Sequence, residues 1–247
     1  MGREPINSAL IMNRRSATST AGLLPFKGQH GGRRKGAGRK PTGNAGVSHH
    51  QRTALAARFP VHVTVKLQRG LPRLRRREEY AALRAAFHAG CAGVKQRGAF
   101  RLCHYAVLND HLHFLVEAHD RTQLSRGLQG LLVRIARTLN KLWSRRGKVF
   151  ADRYHDRILR TPREVRNAIR YVLANGKKHA AEGREVTVPQ AIDTFTSAPW
   201  FDGFRESVTV RGIEAMPRPV TEARTWMLTI GWRRHGLLSV HELPATG

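Results

Sequence analysis

Strand-like and helix-like periodicities alternate along the middle of this 247-residue chain in the order β-α-β-β-α-β-α. That order predicts an α+β fold of the split βαβ, ferredoxin-like kind. Three observations carry it: the alternation of Val61, Val63, Val65 and Leu67; a helical stripe through Leu124, Leu128, Leu131, Ile135 and Leu139; and two strand-like runs separated by the turn-prone pair Asn109-Asp110. The expected architecture is a four-stranded antiparallel sheet with helices on one face. A basic arm without fixed structure (1–57) precedes this domain (58–180), and a small extension (181–247) follows it.

The elements follow in chain order. Residues 59–67 have the period of a half-buried strand, and 76–93 have helical spacing through Tyr80, Leu83, Ala86 and Phe87. Residues 100–108 and 112–118 read as a hairpin across Asn109-Asp110. A long helix is predicted over 122–145, with Leu132 and Leu142 completing its apolar stripe and Gly147 ending it. A fourth strand is expected over 149–159. Thr161-Pro162-Arg163-Glu164 then opens a helix with an N-cap, a proline in the first turn and a reciprocal acid. That helix runs to about residue 174, or to 179 if it continues through Gly176. In the extension, residues 224–236 suggest a short helix or strand packed on the main domain.

Charge narrows the function. Lys and Arg number 44 against 17 Asp and Glu, a net +27, which draws the chain to polyanions through counterion release. Residues 1–60 carry 11 basic and 1 acidic side chains, residues 61–180 carry 26 and 8, and residues 181–247 carry 7 and 8. The cationic surface is therefore built into the domain as well as the arm. Nucleic acid is the expected partner, with Arg33, Arg34, Lys35, Arg39 and Lys40 of the arm as candidate DNA contacts. Small residues between these cations make a narrow ribbon suited to a minor groove, and a solvated arm adding affinity without sequence choice is the alternative. Arg126, Arg134, Arg137 and Lys141 form an acid-free face on the long helix and are candidate phosphate contacts too. No apolar run reaches the ~18 residues of a membrane span, and no signal-peptide pattern opens the chain, so a cytoplasmic protein is expected. Its two cysteines, Cys91 and Cys103, are expected to be reduced packing residues.

Three stretches can carry chemistry. In His111-Leu112-His113-Phe114-Leu115-Val116, alternation places both histidines on the face opposite Leu112, Phe114 and Val116. Two imidazoles so placed can grip one divalent cation, Mg²⁺ or Mn²⁺. With 13 histidines in the chain, such a pair is expected about 0.7 times by chance, and two exposed strand histidines are the plain alternative. The later helix adds Tyr171 and Asn175 at i and i+4 on one side, with Tyr171 about 120° from the centre of the apolar stripe at ~100° per residue. A phenol there could attack a phosphodiester, giving a 5′-phosphotyrosine and a free 3′-OH, while Asn175 could lend an amide oxygen to the cation. Lys178 and His179 follow and could reach the phosphate. Tyr154 is the competing tyrosine.

These residues carry a resemblance. The run Asn109 to Val116 (N-D-H-L-H-F-L-V), the F-x-x-R-Y-H-D-R segment from Phe150 to Arg157, and Tyr171 to His179 (Y-V-L-A-N-G-K-K-H) resemble, as an ordered set over 58–180, the single-tyrosine HUH transposases of the REP-associated, insertion-sequence-200-like group. The resemblance implies a metal held by His111, His113 and Asn175, with Tyr171 as nucleophile. It further implies cutting and transfer of single-stranded DNA at hairpin-flanked ends, as in transposition and recombination. Two departures stand out: related enzymes often carry Gln where this chain has Asn175, and Asn-Gly stands where Asn-Pro is usual. Rival readings are a DNA-binding protein that does not cut and a metal nuclease that uses water. Monomer and homodimer are both open.

Overall fold

A computed structural model describes residues 52–92, 98–181, 192–210, 212–213 and 216–243. The arm cations Arg33, Arg34, Lys35, Arg39 and Lys40 lie outside the described residues. Four strands, β1 (Val61–Lys66), β2 (Phe100–Val107), β3 (His111–Ala118) and β4 (His155–Ile158), form one sheet in the order β2-β3-β1-β4. Every pairing is antiparallel, and the helices α1 (Arg77–Ala92), α2 (Arg121–Leu142) and α3 (Pro162–Ala181) complete the predicted α+β fold.

The sheet separates two apolar layers. Val61, Val63, Val65, Leu112, Phe114 and Val116 pack with Leu83 and Phe87 of α1 and with Leu124, Leu128, Leu131, Ile135 and Leu139 of α2. Residues of opposite parity, Ala106 and Leu115, pack instead with Val165, Ala168, Ile169 and Val172 of α3 and with Met227, Leu228 and Trp232 of the extension. This corrects the expectation of helices on one face. A second apolar stripe on α3 needs its own surface to cover, and Leu115, on the histidine side of β3, supplies it.

Local chemistry sets the ends of the elements. Asp120 caps α2, its side chain accepting from Gln123 N at 2.7 Å. That helix stops at Leu142 with Trp143 as its C-cap, short of Gly147, because Arg145 N turns back onto Asn140 O at 2.9 Å. The predicted capping box at α3 forms: Glu164 N donates to Thr161 Oγ1 and Thr161 N donates to Glu164 Oε2, each at 3.2 Å. The fourth strand is shorter than its apolar pattern suggested. Phe150 makes one antiparallel bridge to Leu67 before the chain leaves the sheet, and regular pairing resumes only at His155.

The extension folds back onto α3. Its helix α4 (Trp226–Thr229) and the 3-10 turn Gly231–His235 bury Met227, Leu228 and Trp232. Arg166 and Arg170 of α3 both bind Glu242 at 2.8 Å, and Arg166 also donates to Gly236 O and Leu237 O. The bonds from Arg166, and after it Arg170, to Glu242 hold that carboxyl down at about 2. Both cysteines are free thiols. No described helix is long and apolar enough to cross a membrane.

Candidate active site

On β3 the side chains alternate as the sequence required, so His111 and His113 share the sheet face that α3 covers. Antiparallel pairing sets Thr64 of β1 opposite His113 and Lys66 opposite His111. His155 of β4 stands opposite Thr64 on the other side of β1, and Arg157 opposite His62. Directly opposed residues point to the same face. One surface therefore gathers His62, Thr64, Lys66, His111, His113, His155 and Arg157.

His113 is not an exposed strand histidine: only 3% of it is accessible. Its Nδ1 lies 3.0 Å from Thr64 Oγ1 and 3.2 Å from His62 Nε2. His111 stands edge-on to it, ring centroids 4.9 Å apart, with Nδ1 2.7 Å from Asp110 Oδ1. That hydrogen bond to His111 holds the Asp110 carboxyl below its ordinary range. Burial, reinforced by the Arg157 guanidinium, pulls the His62 imidazole down to about 4 and so keeps it neutral near pH 7.

From α3 the half-buried Tyr171 ring meets both imidazoles edge-on, with centroids 5.1 Å from His113 and 5.7 Å from His62. One turn later, Asn175 is fully buried, and neither its amide oxygen nor its nitrogen has a hydrogen-bond partner among the described residues. A cleft of about 350 Å³ opens beside Tyr171 between β4 and α3, lined in part by His62, Arg157, Asn167 and Arg170. Tyr154 is placed elsewhere. Its ring carries the Arg52 guanidinium at 3.7 Å, its hydroxyl meets Ser125 Oγ at 3.3 Å, and it packs with the valine-side core beneath α2.

The departure at Gly176 has a tertiary cause. A Cβ at that position would overlap Asp193 Oδ2 and lie 2.9 Å from Asp193 Cγ and 3.1 Å from Arg75 Nη1. Asp193 and Arg75 form a buried two-pronged ion pair at 2.8 and 2.9 Å, and only glycine lets α3 pass over it.

The structure thus brings together His111, His113 and Tyr171, with Asn175 on the next turn of the same helix. It does not bring the α2 cations to them. Arg126, Arg134, Arg137 and Lys141 are exposed on the outer side of a helix that covers the opposite sheet face. Lys178 lies within α3, its side chain outside the described residues. Sequence reasoning missed His62, Thr64, Lys66, His155 and Arg157. The valine alternation in β1 already placed His62, Thr64 and Lys66 on the polar face, but which strand lies beside β1 is a long-range fact.

No family model matches the chain, and no curated protein matches it. A solved structure, that of a REP-associated tyrosine transposase bound to a REP hairpin, is similar over 53% of this chain and 74% of that one, at 19% identity and a TM-score of 0.42. At that score the likeness assigns neither chemistry nor substrate, so any role must be read from the side chains.

Proposed function

We propose that this chain is a metal-dependent single-strand DNA endonuclease and strand transferase of the transposase kind, which cuts through a covalent 5′-phosphotyrosine at hairpin-forming sequences. The observation that carries the reading is the approach of Tyr171 to His113 across a sheet–helix interface, with Asn175 one turn further along the same helix. A structural tyrosine needs no such neighbours.

The residues fit a divalent cation. Among the described residues no three His, Cys, Asp or Glu side chains converge to hold one; the third ligand these residues offer is the Asn175 amide oxygen. A buried amide without partners costs about 1–3 kcal/mol, and an ion taking its oxygen would remove part of that cost. With the proton of His113 on Nδ1 and donated to Thr64 Oγ1, Nε2 is the nitrogen that would face the ion. Asp110 orients His111 in the same way. Bound by His111, His113 and Asn175, Mg²⁺ or Mn²⁺ would polarise the scissile phosphate and offset the charge added in the transition state.

The chain's own residues supply the rest. Tyr171 Oη attacks phosphorus, a bond forms between them, and the bond to the 3′ oxygen breaks. That oxygen leaves as a free 3′-OH after taking up a proton, while the phenolic proton passes to solvent. The phosphotyrosine conserves the bond energy for rejoining. Arg157 and Lys66, exposed on the histidine face, suit the flanking phosphates. The test is a hairpin-bearing single strand incubated with Mg²⁺ or Mn²⁺ and resolved on a denaturing gel. A protein-linked fragment that disappears in Tyr171→Phe is the expected result. Cleavage that survives the substitution without an adduct would assign the attack to water, and binding with no cleavage would leave a DNA-binding protein.

A further inference from the structure

Glu117 lies on β3 with the same parity as His111 and His113, on the sheet face they occupy. It is almost fully buried and satisfied from two sides. Arg101 Nε donates to it at 2.7 Å, and on the other side Thr225 N at 2.8 Å, Thr225 Oγ1 at 2.7 Å and Arg224 N at 3.0 Å also donate. This carboxylate therefore pins the start of α4 to the histidine side of the sheet. Glu117 lies four residue steps along the strand from His113, about 13 Å at ~3.3 Å per residue.

From that anchor α4 turns Trp226 and Ile230 outward, one helical turn apart, 44% and 57% exposed. The indole is held in place nonetheless. Gly231 passes so close that an added Cβ would lie 2.7 Å from the Trp226 ring, and the Arg234 guanidinium stands 5.0 Å from the ring centroid. Arg224 and His235, close to it along the chain, are exposed like Arg234, and no Asp or Glu occurs between Ala223 and His241. The outward apolar surface is two side chains wide, far below the roughly 800 Å² per partner of a stable protein interface. A fixed, half-exposed aromatic ring with a cationic rim instead matches how proteins hold unpaired bases, by stacking on the ring and neutralising the adjoining phosphates.

We propose that Trp226, with Arg224 and Arg234, is a second nucleic-acid contact: a stacking platform for an unpaired base of single-stranded DNA, on the same side of the sheet as Tyr171 and away from the cutting site. This gives the extension a binding role. It rests on the reading that the chain binds single-stranded DNA and does not require Tyr171 to cut it.

The test uses the full chain in EDTA, so that cleavage plays no part. Fluorescence anisotropy compares a labelled 15-mer of oligothymidine with an abasic 15-mer of the same phosphate count. Trp226→Ala and Trp226→Leu are each expected to weaken oligothymidine binding about 5- to 100-fold and to leave the abasic strand unchanged, while Trp226→Phe retains most of the affinity. Equal losses on both strands in a variant with wild-type circular dichroism, or no loss on either, would overturn the proposal. So would unchanged oligothymidine binding accompanied by lost self-association in sedimentation or lost binding to phosphatidylserine vesicles, which would assign the patch to a second copy or to a membrane surface. A wild-type chain that discriminates the two strands but forms no phosphotyrosine would keep the platform and remove the cutting reaction.

Discussion

Gly176→Ala separates a local rule from a tertiary one. In an exposed helix interior the change should stabilise by about 1 kcal/mol, because alanine gives up less backbone entropy than glycine. Here the new methyl meets Asp193 and Arg75, whose ion pair is buried, Asp193 being 1% and Arg75 6% accessible at the side chain. Overpacking of this kind costs about 1–3 kcal/mol, and separating a buried pair costs about 3–5 kcal/mol if the partners are fully parted. Asp193 can shift only partly, since its Oδ1 accepts from Phe195 N and its carbonyl from Thr196 Oγ1. Setting a partial loss of the pair against the helix gain leaves a net destabilisation of about 2–4 kcal/mol. Urea unfolding followed by circular dichroism should show a lower midpoint at unchanged slope. Repeating the substitution in Arg75→Leu/Asp193→Ala should reduce its cost by at least about 1 kcal/mol, the coupling expected of residues in contact. A wild-type midpoint, or one raised by the helix gain, would refute the contact that explains why glycine follows Asn175.

Further outcomes follow from the same geometry. Tyr171→Phe should keep the thermal midpoint within a few degrees, because the ring and its edge contacts survive, while abolishing any covalent adduct on denaturing gels; an adduct that persists would move the nucleophile elsewhere. Glu117→Ala leaves Arg101 without its carboxylate and removes the anchor of α4, so a loss of about 3–5 kcal/mol is expected by denaturant titration, and a loss below 1 kcal/mol would refute the anchoring role. His104 is pulled down to about 4 by burial and then by Arg218, with Asp202 opposing, so the unfolded chain takes up its proton first. Its contribution to stability is present above about pH 6.5 and drains as pH falls toward 4. Thermal scans from pH 7 to 4.5 should show a declining midpoint that His104→Gln flattens, and an equal decline in both proteins would refute the assignment. Arg166→Met should lower stability near neutral pH, and at pH values well below 4.5 its effect should shrink as Glu242 takes up a proton; a constant difference across that range would break the link.

The long helix, the hairpin and the capping box were legible because each rests on residues within a few positions of one another: the leucine spacing, Asn109-Asp110, and Thr161 with Glu164. The pairing of His111 with His113 was legible for the same reason, since strand alternation alone puts them on one face. Tyr171 with Asn175 on one side of α3 follows from helical spacing. Which face of the sheet α3 would cover, and hence whether Tyr171 would meet His113, could not be read from any of these periods. Periodicity says which residues of an element point together, never which other element they point at.

The sequence by itself therefore determined the elements, their apolar faces, the two-histidine strand and the strong positive charge. Only the tertiary structure decided that His62 and Thr64 stand at His113 Nδ1, that the α2 cations lie on the far side of the sheet from Tyr171, and that Gly176 makes room for Arg75 and Asp193. The reason is physical. Register and layer choice are set by contacts between residues far apart in the chain, 49 positions for Thr64 with His113 and 118 for Arg75 with Asp193, and no local pattern encodes a contact over that separation.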